Sequence, residues 1–120
     1  TGEDFMNLDR YVAGLPPAET TFTVYSPSPG TAAWREHQKD FICDPIKYYD
    51  CMHTILPARL PLKEFYRHFA SLTSGAISRN PLRAHNVPVK VGEILRMILL
   101  SFLYIRCQRN LWRDYDRKHW

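Results

Sequence analysis

Residues 20–26, Thr-Thr-Phe-Thr-Val-Tyr-Ser, are the one stretch of this chain that reads as a β-strand. They are rich in β-branched and aromatic types, with Phe22, Val24 and Ser26 alternating against Thr21, Thr23 and Tyr25. Ser26-Pro27-Ser28-Pro29-Gly30-Thr31 breaks the pattern sharply. A single strand cannot make a sheet. What surrounds it reads as helix, so the unit is helix, strand, turn, helix: half of a βα-type repeat. The expected fold is therefore α+β but mostly helical, a segment of a larger α/β structure. A first residue of Thr1 rather than Met agrees with an excised piece.

The helical expectations come from periodicity. Over residues 3–14, Phe5, Leu8, Tyr11 and Val12 share one face, and Thr1, Glu3 and Asp4 favour a helix start. Gly14, Pro16 and Pro17 end it. A short helix is expected at 31–39, then irregular chain from Phe41 to Pro45, with a short extended segment within 48–56. Pro61 opens a helix over 61–73 whose stripe is Leu62, Phe65, Tyr66, Phe69 and Leu72, with Lys63, Glu64, Arg67 and His68 facing away. Tyr66, His68 and Phe69 read as core or its border. Residues 74–89, with Gly75, Pro81 and Pro88, read as linker. The longest helix, 89–108, has a thin polar stripe of Lys90, Glu93, Ser101 and Gln108, with Arg96 beside it; the rest of its surface is apolar.

Composition narrows the class. Apolar residues are 45% and charged residues 23% of 120, which excludes collagen-like, disordered and disulfide-scaffold chains. Three cysteines, Cys43, Cys51 and Cys107, are too few and odd in number for a disulfide framework, and favour a reduced, cytoplasmic setting. Cys107 reads as a buried or idle thiol. No signal peptide is expected, since no basic start precedes an apolar stretch, and no run of 18 apolar residues occurs in the sequence. The net charge of +4 is uneven: residues 1–30 carry four acids against Arg10, whereas residues 31–120 carry fifteen bases against eight acids. The excess at the C-terminal end fits an anionic partner or simply a solvated tail. With no nucleic-acid motif alongside it, a nucleic-acid partner is not expected.

Two stretches together resemble a known family. Thr21 to Trp34, TFTVYSPSPGTAAW, resembles the end of a radical-SAM barrel, where a late strand runs into a proline-glycine-threonine turn and then a helix. Tyr48 to Leu72 resembles the segment that follows in cobalamin-dependent radical-SAM enzymes, through Tyr49-Asp50, His53, Leu56-Pro57, Leu60-Pro61 and Phe65-Tyr66. Within that family the pattern is most similar to the hopanoid C-3 methylase type. The resemblance implies a fragment of a radical-SAM partial (β/α) barrel, its last helix-strand-helix unit, followed by a helical C-terminal extension. Residues 1–40 would end the barrel, 41–85 would be a post-barrel extension, and 86–120 an amphipathic helix with a basic aromatic tail.

The resemblance implies a methyltransferase using a [4Fe-4S] cluster, S-adenosylmethionine and cobalamin on a hydrophobic, hopanoid-like substrate. This chain departs from it in lacking the C-x3-C-x2-C cluster motif and the D-x-H-x-x-G cobalamin motif. It is therefore expected to bind no cofactor and no metal alone, to have no catalytic residue of its own, to be inactive alone, and to partner the N-terminal cobalamin-binding and radical-SAM regions of the same polypeptide. Tyr49, Asp50 and His53 are the candidate substrate-binding residues: an acid three residues from a titratable base can move a proton or hold a hydroxyl. The same pair can instead be a packed hydrogen bond that fixes the loop. Ser26, Pro27, Pro29, Gly30 and Thr31 are the candidate barrel-rim or cofactor-proximal residues, since αβ-barrel sites lie at the C-terminal ends of strands. Arg106, Arg109, Trp112 and Arg113 are candidate membrane-facing residues, the composition of an interfacial anchor at the inner membrane. The alternative to the enzyme-fragment reading is a membrane-docking or protein-interaction module using helix 89–108 and its tail.

Overall fold

A computed structural model describes residues 1–15, 20–79 and 90–115. Four α-helices follow in order: α1 Gly2–Ala13, α2 Ala32–His37, α3 Leu62–Arg79 and α4 Val91–Asn110, the last running into a 3₁₀ turn, Leu111–Asp114. The fold is mostly helical, and no strand occurs among the described residues.

The local signals for α1 work as expected. Thr1 caps the helix and forms a reciprocal capping box with Asp4, and the Gly14 amide closes the other end on carbonyls of the last turn. Thr31 caps α2 by accepting from the Trp34 amide. Residues 20–26 differ from the expectation of a strand. Phe22, Val24 and Ser26 do turn inward and Thr21, Thr23 and Tyr25 outward. The backbone forms no ladder among the described residues; the Val24 amide bonds to the Cys51 carbonyl at 2.8 Å. It is an extended segment with strand alternation and no sheet.

The central element is α3, on which both α1 and α4 pack. Tyr66 and Phe69 of its stripe form the core cluster with Leu111, and Phe5, Phe22, Val24, Met52 and Trp112 close round them. Fully burying a side chain of the Phe69 class stabilises by about 2–3 kcal/mol. Here α3 corrects the linker expected from residue 74: the helix continues to Arg79. The cause is tertiary. Arg79 pairs with Asp9 of α1 at 2.7 Å, and Gly75 lets that carboxylate come close, since a Cβ at 75 would stand 3.1 Å from Asp9 Oδ1. The rest of the expected linker, 80–89, lies outside the described residues. His68, expected to face away, stacks on Phe5 at 5.5 Å. Residues 48–56 form a run of bends rather than an extended segment.

The polarity of α4 is the reverse of a core helix. Its positions that are not exposed are Ile94, Ser101, Ile105, Gln108 and Asn110, so the inner half of the polar stripe, Ser101 and Gln108, points into the protein. Gln108 is 1% exposed, yet its side-chain oxygen and nitrogen find no hydrogen-bond partner among the described residues. The apolar face points out: Leu95 is 63% and Phe102 61% exposed, and Ile98, Leu99 and Leu103 are exposed with them. The accessible surface of 9046 Å² exceeds the roughly 6,700 Å² of a compact monomer of this mass. Cys107, expected to be a buried or idle thiol, is exposed, because it sits on the outer side of α4. Among the described residues, no helix is long and apolar enough to cross a membrane.

Candidate functional site

The site grows from a tight loop at 50–53. Asp50 Oδ1 accepts from the Met52 amide at 2.9 Å and the His53 amide at 2.8 Å, an Asx turn that winds the loop round the carboxylate. The turn puts Cys51 at φ 61, a left-handed conformation that costs a non-glycine residue about 1 kcal/mol. The other carboxylate oxygen meets His53 Nδ1 at 2.6 Å. Burial alone would raise the Asp50 pKa. The two amide bonds and the His53 ring outweigh it and hold the carboxyl below the usual carboxylate range.

His53 is buried, and its second nitrogen, Nε2, lies 3.3 Å from Asp114 Oδ2 in the 3₁₀ turn. Tyr48 covers the imidazole with ring centroids 4.7 Å apart and donates to the Asp114 carbonyl. Beside it a closed ring of hydrogen bonds joins three parts of the chain. The Thr54 amide donates to Tyr66 Oη at 2.9 Å, and Tyr115 Oη donates to the Thr54 carbonyl at 2.9 Å. Each phenol has one proton. That of Tyr115 is committed to Thr54, so Tyr66 donates across the 2.7 Å contact to Tyr115. Burial pushes the Tyr66 phenol up to about 12 and raises that of Tyr115 as well. The Cys43 thiol nearby is pushed up to about 11 by burial, reinforced by the carboxylates of Asp44 and Asp50. These groups stay neutral and act as hydrogen-bonding groups, not nucleophiles.

The two stretches singled out in the sequence meet here. Tyr49 Oη and Ser28 Oγ are 2.7 Å apart, and the Val24 amide donates to the Cys51 carbonyl. Ser28-Pro29-Gly30-Thr31 closes with the Thr31 amide donating to the Ser28 carbonyl. Pro29 in the second position and Gly30 at φ 83 in the third are what a type II turn requires. Pro27 is buried, and Ser26 Oγ is buried without a partner among the described residues. Ser28 to Thr31 are exposed.

The remaining candidates lie apart from this loop. Arg106, Arg109 and Arg113 are exposed along α4 and the 3₁₀ turn. Trp112 is half-buried against the core cluster and carries Lys63 Nζ and Arg113 Cζ over its ring, each 5.5 Å from the centroid. Sequence reasoning did not assign Tyr48, Thr54, Asp114 and Tyr115 to the site. Tyr48 adjoins the expected cluster, but Asp114 and Tyr115 are each 61 residues from their partners, and no short spacing could have marked them. Chemically, the arrangement holds His53 between two carboxylates, and leaves Asp50, Asp114 and Tyr49 partly open to accept from a polar group.

No protein-family model matches the chain, and no solved structure matches it. It is similar to the hopanoid C-3 methylase of Methylococcus capsulatus, 36% identical over 50 residues that make up 42% of this chain. The matched stretch is 10% of that protein, so the chain spans about a tenth of the length of this relative. The likeness points to a methyltransferase-related sequence.

Proposed function

We propose that the chain is the C-terminal segment of a cobalamin-dependent radical-SAM methyltransferase that acts on a hydrophobic, hopanoid-like substrate. In this reading it walls the substrate side of the barrel. Residues 20–31 supply the last strand and rim, Tyr49 and Asp50 present oxygens to the substrate's polar end, and His53 fixes the Asp50 carboxylate. The likeness to hopanoid C-3 methylase carries the reading. The inward–outward alternation of residues 21–26 supports it as well, since it is the pattern of a strand with one face on a core.

The donor set among the described residues does not fit an iron–sulfur cluster. Among the described residues no three of His, Cys, Asp and Glu are grouped to hold a metal ion, and Cys43 is buried while Cys51 and Cys107 are exposed. The iron–sulfur cluster, S-adenosylmethionine and cobalamin would be held by N-terminal regions of the same polypeptide, and no step through them is assigned to this chain. The exposed apolar face of α4 would cover part of those regions. The test is the coding DNA upstream of Thr1. An in-frame C-x3-C-x2-C several helices upstream is the expected result; an in-frame start codon within a few residues of Thr1 overturns the reading.

A second reading rests on α4 itself. An outward apolar face ending in Arg106, Arg109 and Arg113 has the make-up of a peripheral anchor on an anionic bilayer. Sedimentation with anionic vesicles tests it: salt-sensitive binding lost on exchange of these arginines for Glu is expected, and no binding of the unaltered chain refutes it.

A further inference from the structure

A cleft opens between the first turns of α3 and the end of α4 with its 3₁₀ turn, with a volume of about 550 Å³. Four cations line it: Lys63 and Arg67 from α3, Arg109 from α4 and Arg113 from the 3₁₀ turn. Glu64 is the one acid on the wall, and Trp112 is the aromatic surface. Glu64 is engaged by Arg67 at 3.6 Å. Among the described residues, Lys63, Arg109 and Arg113 have no carboxylate within ion-pair distance.

Local helix electrostatics explain only part of this. Arg109 is in the last turn of α4, where a cation offsets the macrodipole. Lys63 is in the first turn of α3, where the dipole disfavours a cation. Placing it in one cleft with two arginines that have no carboxylate partner among the described residues raises the repulsion further. The Trp112 ring, over which Lys63 and Arg113 both lie, offsets part of this, and an anion in the cleft would offset the rest. Two guanidinium forks and an ammonium offer more donors than a carboxylate's two oxygens can use, and suit the several oxygens of a phosphate. The cleft is larger than a phosphate ion, and Trp112, with Lys63 and Arg113 over its ring, lines the wall where the group attached to the phosphate would lie.

The geometry points to a binding site for a phosphate ester, held by Lys63, Arg109 and Arg113 with its organic part against Trp112. The site does not depend on the methyltransferase reading. The ester is either a soluble phosphate or a lipid headgroup, and the test separates these sources. The 120-residue chain is titrated with phenyl phosphate, with phenylacetate, and with phosphatidylcholine vesicles that do or do not contain phosphatidate. Lys63→Gln and Arg113→Gln are compared with Lys39→Gln, which removes the same charge from an exposed residue outside the cleft. Saturable binding of phenyl phosphate, or of phosphatidate vesicles alone, is expected. The former marks a soluble ligand and the latter a lipid-borne one. Each cleft substitution weakens binding about tenfold, the loss of one charge-assisted hydrogen bond, and Lys39→Gln leaves it unchanged. Binding of neither phosphate probe, equal binding of phenylacetate, or an equal loss in Lys39→Gln overturns the site.

Discussion

Replacing Tyr115 by Phe removes one oxygen from the closed ring of Thr54, Tyr66 and Tyr115 and leaves the packing almost unchanged. The ring holds three hydrogen bonds: Thr54 amide to Tyr66, Tyr66 to Tyr115, and Tyr115 to the Thr54 carbonyl. Y115F breaks the second and third; Y66F breaks the first and second. At about 1 kcal/mol for each net bond, either single substitution destabilises by about 2 kcal/mol. That corresponds to roughly 8 °C in Tm for a domain of this length. The double variant loses three bonds rather than four, so it costs about 3 kcal/mol, and the cycle shows a coupling of about 1 kcal/mol. Urea unfolding followed by far-UV circular dichroism measures all four proteins. Additive losses, or a Y115F within 0.5 kcal/mol of the unaltered chain by the same scale, would refute the closed ring.

Three further substitutions separate other contributions. Asp50 has a lowered folded-state pKa, so its ionised form stabilises above the unfolded value of about 4, and that contribution is lost as pH falls through the folded value. Asp50→Asn therefore flattens the acid limb of stability against pH, and an unchanged limb removes the Asx-turn account. Gly30→Ala meets no atom within 4 Å, so its cost is the left-handed backbone alone, about 1 kcal/mol by urea unfolding; a neutral result would mean that the turn reforms differently. Gln108→Leu replaces a buried amide that has no partner among the described residues, and thermal unfolding should show a gain of about 1 kcal/mol; a loss would reveal a partner for that amide.

What the sequence made legible was local. The cap at Thr1, the stripe of α3 and the Pro29-Gly30 turn depend on neighbours within a few residues, and each is found. Inward Phe22 and Val24 follow from alternation, but alternation cannot provide a second strand to pair with. The length of α3 depended on Asp9 meeting Arg79, seventy residues away, against the helix-weakening tendency of Gly75. Periodicity identified two faces on α4 without saying which one meets the protein, and here the polar one does at Ser101 and Gln108. The Asp50–His53 pair was visible because three residues separate it. Its supports, Asp114 and Tyr115, come from a tail that sequence reading treated as solvated or membrane-facing.

The hydrogen-bond ring also bears on the order in which the chain can become organised. Ribosomal synthesis delivers Thr54 long before Tyr115, and the separation is 61 residues. During that interval the 50–53 loop has its own Asx turn but lacks the outer carboxylate and both of the Tyr115 hydrogen bonds. A product that stops short of Asp114 keeps Tyr49, Asp50 and His53 and the contacts of residues 49–54 with Ser28, Val24 and Tyr66, but lacks the outer carboxylate and the Tyr115 hydrogen bonds. The last described turn is thus a latch on residues made much earlier, and a nonsense mutation there would loosen a loop that it leaves chemically intact.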